Sequence, residues 1–175
     1  MKKILLVFIL NYLLCCNYSI AQTDQNSNDT LQYNVPKQVN VDLGILIPPP
    51  CFVVSTAFNG YICVSNGSAL LMQMIENISY LQATKNMNDE FFKTNGFTFI
   101  SVIDLIATSG VKGKVYKLTY VQKDQEYIRY MVFAGDLEKT IWLNITYPKI
   151  VEELMEIEIL KCLQTLTLNP ADNEK

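Results

Sequence analysis

The sequence contains no histidine, one tryptophan (Trp142) and one arginine (Arg129). Without histidine there is no Ser-His-Asp or Cys-His hydrolase centre, and the usual zinc and non-haem iron ligand sets are missing too. No CxxC pair, GxGxxG turn or Walker loop is present; Gly110 and Gly113 are turn glycines with Lys112 between them. No block of lysine or arginine occurs anywhere, so nothing would neutralise the phosphates of a nucleic acid or an anionic membrane surface. Long apolar runs are scarce as well. The longest, from Ile4 to Cys16, is shorter than the roughly 20 residues that span a bilayer, so no transmembrane segment is expected in the mature chain.

That run has a recognisable layout. Lys2 and Lys3 precede it, and the small residues Ser19 and Ala21 follow, as in a secretory signal peptide cleaved after Ala21. The expected location is periplasmic or secreted. The alternative is a lipoprotein acylated at Cys15 or Cys16, although Leu14 before Cys15 is not the small residue a lipobox wants. Loss of Lys2 and Lys3 with the leader takes the basic count from 14 to 12 against 17 acids, a net charge of −5. Three cysteines then remain. Cys51 and Cys63 flank a loop-rich stretch and could form a disulfide, which export permits; the alternative is three free, partly buried thiols.

The 175 residues suit one domain, and half of them are hydrophobic, enough for a sizeable core. Residues 22–40 are polar and read as a disordered leader, 41–169 as the folded domain and 170–175 as a flexible tail. "VDLGILIPPP" predicts a short strand stopped by three prolines. "GYICVSNGSALLMQMIEN" predicts a hairpin with a type I′ turn at Asn66-Gly67. A helix should follow, capped by Ser79 or Thr84, with Ser79 and Gln82 at capping-box spacing, Tyr80, Thr84, Met87 and Phe91 on one face, and Asn95-Gly96 as its stop.

Four evenly spaced strands come next: "FTFISVIDLIA", "GKVYKLTYVQ", "QEYIRYMVFA" and "KTIWLNITY". Short turns join them, so an antiparallel meander is expected. Both faces carry apolar residues, with Tyr116, Leu118 and Tyr120 on one and Val115 and Val121 on the other. Such a sheet needs helices as cover. Pro148 suits the start of a last helix, in which Val151, Met155, Ile159, Cys162 and Leu166 form one stripe opposite Glu152, Glu153, Glu156 and Gln164. The fold class is therefore α+β, an antiparallel sheet flanked by helices.

The stretch from "FFKTNGF" through "SGVKGK", "EYIRYMVFAGD" and "KTIWLNITYP" to the closing acidic helix resembles the PsbP-like superfamily, which includes the Ran-binding Mog and DcrB-type members. The resemblance covers about residues 45–168 and rests on strand order and turn spacing. It implies an α/β/α sandwich. Members mostly act by binding another protein, and no catalytic residue comes with the fold.

The candidate residues are few. Arg129, between Tyr127 and Tyr130, could grip a carboxylate on a partner, or hold Glu126 or Asp104 within the domain. Asp104, inside an apolar strand, could sit at an edge, bond a turn amide, or pair with Lys112, Lys114 or Arg129. Trp142 shares the more polar strand face with Asn144 and Thr146, as a binding anchor or a lid over the core. Ile157 and Leu160 fall off the apolar stripe, under a loop or as anchors for a partner. Asp89-Glu90 and Glu152-Glu153 read as solvated helix faces. No cofactor or metal is expected. The expected function is a non-enzymatic interaction domain for another envelope protein. The alternative is a carrier of a small apolar ligand or lipid, in a space between the sheet and a helix lined by Met72, Met74, Phe97 and tyrosines.

Overall fold

A computed structural model describes residues 46–168. The expected signal peptide, the expected polar leader, the candidate acylation sites Cys15 and Cys16, and the expected tail lie outside the described residues. The strands are β1 (Val53–Val54), β2 (Gly60–Cys63), β3 (Ser68–Glu76), β4 (Thr98–Ile106), β5 (Lys112–Gln122), β6 (Gln125–Gly135) and β7 (Lys139–Pro148). The helices are α1 (Tyr80–Ala83), α2 (Asp89–Thr94) and α3 (Glu152–Gln164). All seven strands form one antiparallel sheet in the order β1-β2-β3-β7-β6-β5-β4. The fold is α+β, and β4 to β7 form the expected meander.

Side-chain alternation gives the sheet two faces. Ile128, Tyr130 and Val132 of β6 and Ile141, Leu143 and Ile145 of β7 point to one face, where Met155, Ile159, Cys162 and Leu163 of α3 join them in the main core. The helical stripe read from the sequence is the buried face of α3. On the opposite face Phe92, Tyr116, Leu118, Met131, Phe133 and Trp142 are buried apart from that core. The two short helices lie there: Phe92 of α2 is 5.3 Å from the Tyr116 ring, and Thr140 Oγ1 donates to the Ile78 carbonyl, just before α1, at 2.7 Å.

Several local expectations are corrected. Most of the expected first strand, residues 41–45, lies outside the described residues; Leu46–Pro49 are not in a strand, Leu46 packs into the main core, and among the described residues the first strand is the two-residue β1. The loop at Val64–Gly67 is not type I′, since only Gly67 is left-handed (φ 71°) and the Asn66 side chain instead accepts from the Ser68 N–H at 3.0 Å. The primed geometry occurs between β5 and β6, where Lys123 and Asp124 have φ 49° and 62°. The expected helix after Ser79 is two helices. The Ser79–Gln82 capping box forms, but α1 ends at Ala83 with Thr84 as its C-cap, and Asn88 caps a new start by accepting from the Phe91 N–H at 2.9 Å. Asn86 and Asn88 favour caps and turns over helix interiors, which explains the break. Gly96, left-handed at φ 80°, ends α2 as expected. Pro148 closes β7 and precedes a 3₁₀ turn at Lys149–Val151, one turn before the α-helix proper.

Candidate functional site

Antiparallel register places Arg129 in one row across the sheet: Val53, Ile62, Ala69, Thr146, Arg129, Leu118 and Phe99. Arg129 is the only charged residue of that row. Its Nε donates to Thr146 Oγ1 at 3.2 Å and its Nη2 to the Tyr120 hydroxyl at 3.4 Å. The guanidinium carbon lies 4.6 Å from the Tyr120 ring centre and 4.9 Å from that of Phe97, close enough for cation–π attraction. Phe97 meets Tyr120 edge-on at 5.6 Å, and Tyr127 stacks on Tyr120 at 5.3 Å. The half-buried guanidinium is therefore held in place by aromatic rings and hydroxyls.

Among the described residues no carboxylate is paired with Arg129. Glu126 points to the other face, where it bonds Lys149 at 2.7 Å and Thr119 at 3.0 Å. Asp104 is at the edge of the sheet and bonds Lys114 at 3.0 Å. The expectation that Arg129 holds one of these two acids within the domain is thus corrected. Both acids are already matched to lysines. A guanidinium has five N–H donors, and two bonds leave most of that capacity unused. Beside it, the half of the sheet face formed by β1 to β3 carries partly exposed Val53, Ile62, Ala69 and Leu71.

The other candidates are scattered. Trp142 is 3% exposed and stacks on Phe133 at 6.5 Å, so it is core and not a surface anchor. Its strand face looks polar in sequence because Asn144 and Thr146 share it, yet α1, α2 and their aromatics cover that end. Ile157 is 58% exposed beside Leu154 at 68%, while Leu160 is half-buried on another flank of α3. Met72 belongs to the main core and Phe97 packs on Tyr120 at the opposite face, so the residues proposed to line a ligand space do not meet. A surface hollow of about 410 Å³ between the β5–β6 turn and Lys149 is lined by Asp124, Gln125, Glu126, Lys149 and Ile150, a charged lining unsuited to a lipid.

One polar cluster escaped the sequence reading. Lys117 of β5 reaches Glu152 and Glu156 of α3, both at 2.7 Å, and the Tyr130 hydroxyl donates to Glu156 at 2.9 Å. Glu152 therefore serves a lysine and not solvent. The spacing of two acids one helical turn apart was the available signal. Burial opposes charge on Lys117, but its bonds to Glu152 and Glu156 outweigh that and hold the ammonium above its ordinary range. The Lys117 bond holds the Glu156 carboxyl below its ordinary range, and burial, then the Glu156 bond, push the Tyr130 hydroxyl up. All three shifts move away from neutrality, which suits a fixed clamp better than proton transfer.

Cys51 lies at the surface with its thiol beside that of buried Cys63, and neither is bonded in a disulfide. Partial burial and the Cys63 contact push the Cys51 thiol up to about 12.

No family model matches the sequence, and no curated protein matches it. Among solved structures the chain is similar to a crystal structure of a protein of unknown function from Pseudomonas aeruginosa. The identity is 13% and the TM-score 0.44, over 87% of this chain and 96% of that one. Among the described residues no helix is long and apolar enough to cross a membrane.

Proposed function

We propose that this protein is an exported, non-enzymatic interaction domain of the PsbP-like kind, with the α/β/α layering of that family, and that it binds another protein of the cell envelope. The observation carrying this reading is Arg129. A half-buried guanidinium, braced by Phe97, Tyr120 and Thr146 and matched to no carboxylate among the described residues, fits an acidic side chain from outside the domain. The adjoining apolar strip of Val53, Ile62, Ala69 and Leu71 would meet the aliphatic part of the same partner. The leader from Met1 to Ala21 supports export. The absence of histidine leaves the chain few groups for chemistry near neutral pH.

Crosslinking in intact cells, with the native chain and Arg129→Gln compared side by side, tests this. The expected outcome is a reproducible envelope partner that the substitution loses while circular dichroism stays native. Equal recovery by both chains, or no reproducible partner at all, sinks the reading.

A further inference from the structure

The two edges of the sheet are unequal. At one edge β1 has two residues; at the other β4 has nine. A short edge strand offers little to pair with, whereas a long one presents a row of unmatched N–H and C=O groups. On β4 the side chains of Ile100, Val102, Ile103 and Ile106 are 46, 44, 48 and 64% exposed. Register with β5 sets Ile103 with Ser101 and Leu105 on the α3 face, and Val102, Asp104 and Ile106 on the opposite face. Apolar surface is thus bare on both sides of the same strand. The usual guards are weak. β4 has no lysine or proline, and its irregularity between Phe99 and Ser101 lies near its start, leaving Ser101–Ile106 in regular pairing. It carries one charge, Asp104, which pairs with Lys114 at 3.0 Å.

We propose that β4 pairs antiparallel with β4 of a second copy of this chain, giving one continuous sheet across a two-fold dimer. A helix or loop laid on the edge would cover one face only. A strand with apolar side chains on both faces covers both, and β4 is itself such a strand. Charge rules out one register. A pairing centred on Ile103 sets Ile103 against its own copy, Asp104 against Val102, and Ile106 against Ile100. A pairing centred on Asp104 would bring two carboxylates face to face, which is unfavourable. The α3 flank agrees with this placement. Glu156 reaches Lys117, whose cross-strand partner on β4 is Ser101, and half-buried Leu160 follows one turn later on that flank. Leu160 gains an apolar neighbour in the dimer.

Sedimentation velocity of the full-length chain over a wide concentration series tests the pairing. The expected result is a monomer–dimer equilibrium. Ile103→Lys should weaken it roughly 100-fold or more, because each dimer buries the new charge twice. Leu154→Lys, on the exposed side of α3, should leave it unchanged. Amide exchange over Ser101–Ile106 should slow with rising concentration in the native chain and not in the lysine variant. If Ile103→Lys loses its native circular dichroism, Ile106→Lys provides the same readout. A native chain that stays monomeric at about 100 µM, or a dimer that both edge lysines leave intact, overturns the proposal.

Discussion

Replacing Lys117 by methionine probes the clamp between α3 and the sheet. Methionine keeps an unbranched stem of similar length and removes only the ammonium, so packing changes little. Two limits bracket the cost. A fully exposed ion pair contributes about 0–1 kcal/mol, and removing one partner of a fully buried pair costs about 3–5 kcal/mol. The Lys117 side chain is 14% exposed, Glu152 26% and Glu156 38%, so the cation is sheltered while water still screens the acids. The variant should lose about 2 kcal/mol at pH 7, between those limits. The pH dependence follows from the direction of each shift. The Glu156 carboxyl lies below its ordinary 4.5 in the folded chain. Its contribution is therefore present above the unfolded value and lost as pH falls through the folded one. Lys117 lies above its ordinary 10.5, so its contribution is full below that value and lost as pH rises through the folded one. The gap between native and variant chains should be widest between these limits and should narrow in acid and in strong alkali. Urea unfolding at pH 7 and near pH 3 reads both effects. A loss under about 0.5 kcal/mol at pH 7, or a gap just as large in acid, would refute this account of the clamp.

Other outcomes follow from packing and thiol chemistry. A Cβ added at Gly113 would lie 2.5 Å from the Phe133 carbonyl oxygen and 2.6 Å from the Ala134 Cβ. Gly113→Ala should therefore cost about 1–3 kcal/mol in urea unfolding, and unchanged stability would mean that β5 and β6 can separate there. With its thiol near 12, Cys51 should react with a disulfide reagent at pH 8 far more slowly in the folded chain than in the unfolded one, and comparable rates would contradict the shift. Air or glutathione oxidation should link Cys51 to Cys63 within the chain and raise stability by about 3 kcal/mol; mass spectrometry showing Cys51 only in mixed or intermolecular disulfides would count against that pairing.

What the sequence revealed was local. Alternation over residues 98–148, punctuated by turn residues, carries the meander, because a period of two survives whatever the strand packs against. The α3 stripe was legible because helical spacing, too, shows without knowledge of what it packs against. The helix after Ser79 was misread because its apolar spacing runs on across Lys85–Asn88, where asparagine capping outweighs it. Nothing local says that β3 lies beside β7, since only the assembled sheet brings Ala69 to Thr146. For Arg129 the local pattern is not enough. Its rarity marked it as worth attention, but its surroundings come from the turn after α2, from β5 and from β7, three segments that are distant in sequence. Trp142 stays open between anchor and lid in the sequence, because a strand face with polar neighbours can still be roofed by helices from elsewhere in the chain; its burial decides for the lid.

The seating of β3 against β7 also sets an order of events for a chain made from its amino end. Neighbouring hairpins from β4 onward need only short loops to close and can zip up in turn. The β2–β3 hairpin, synthesised before any of them, stays without a lateral partner on its β3 side until the ribosome has delivered the residues up to Thr146. A chain truncated before β7 would leave β2 and β3 without that partner while β4 to β6 could still pair with one another.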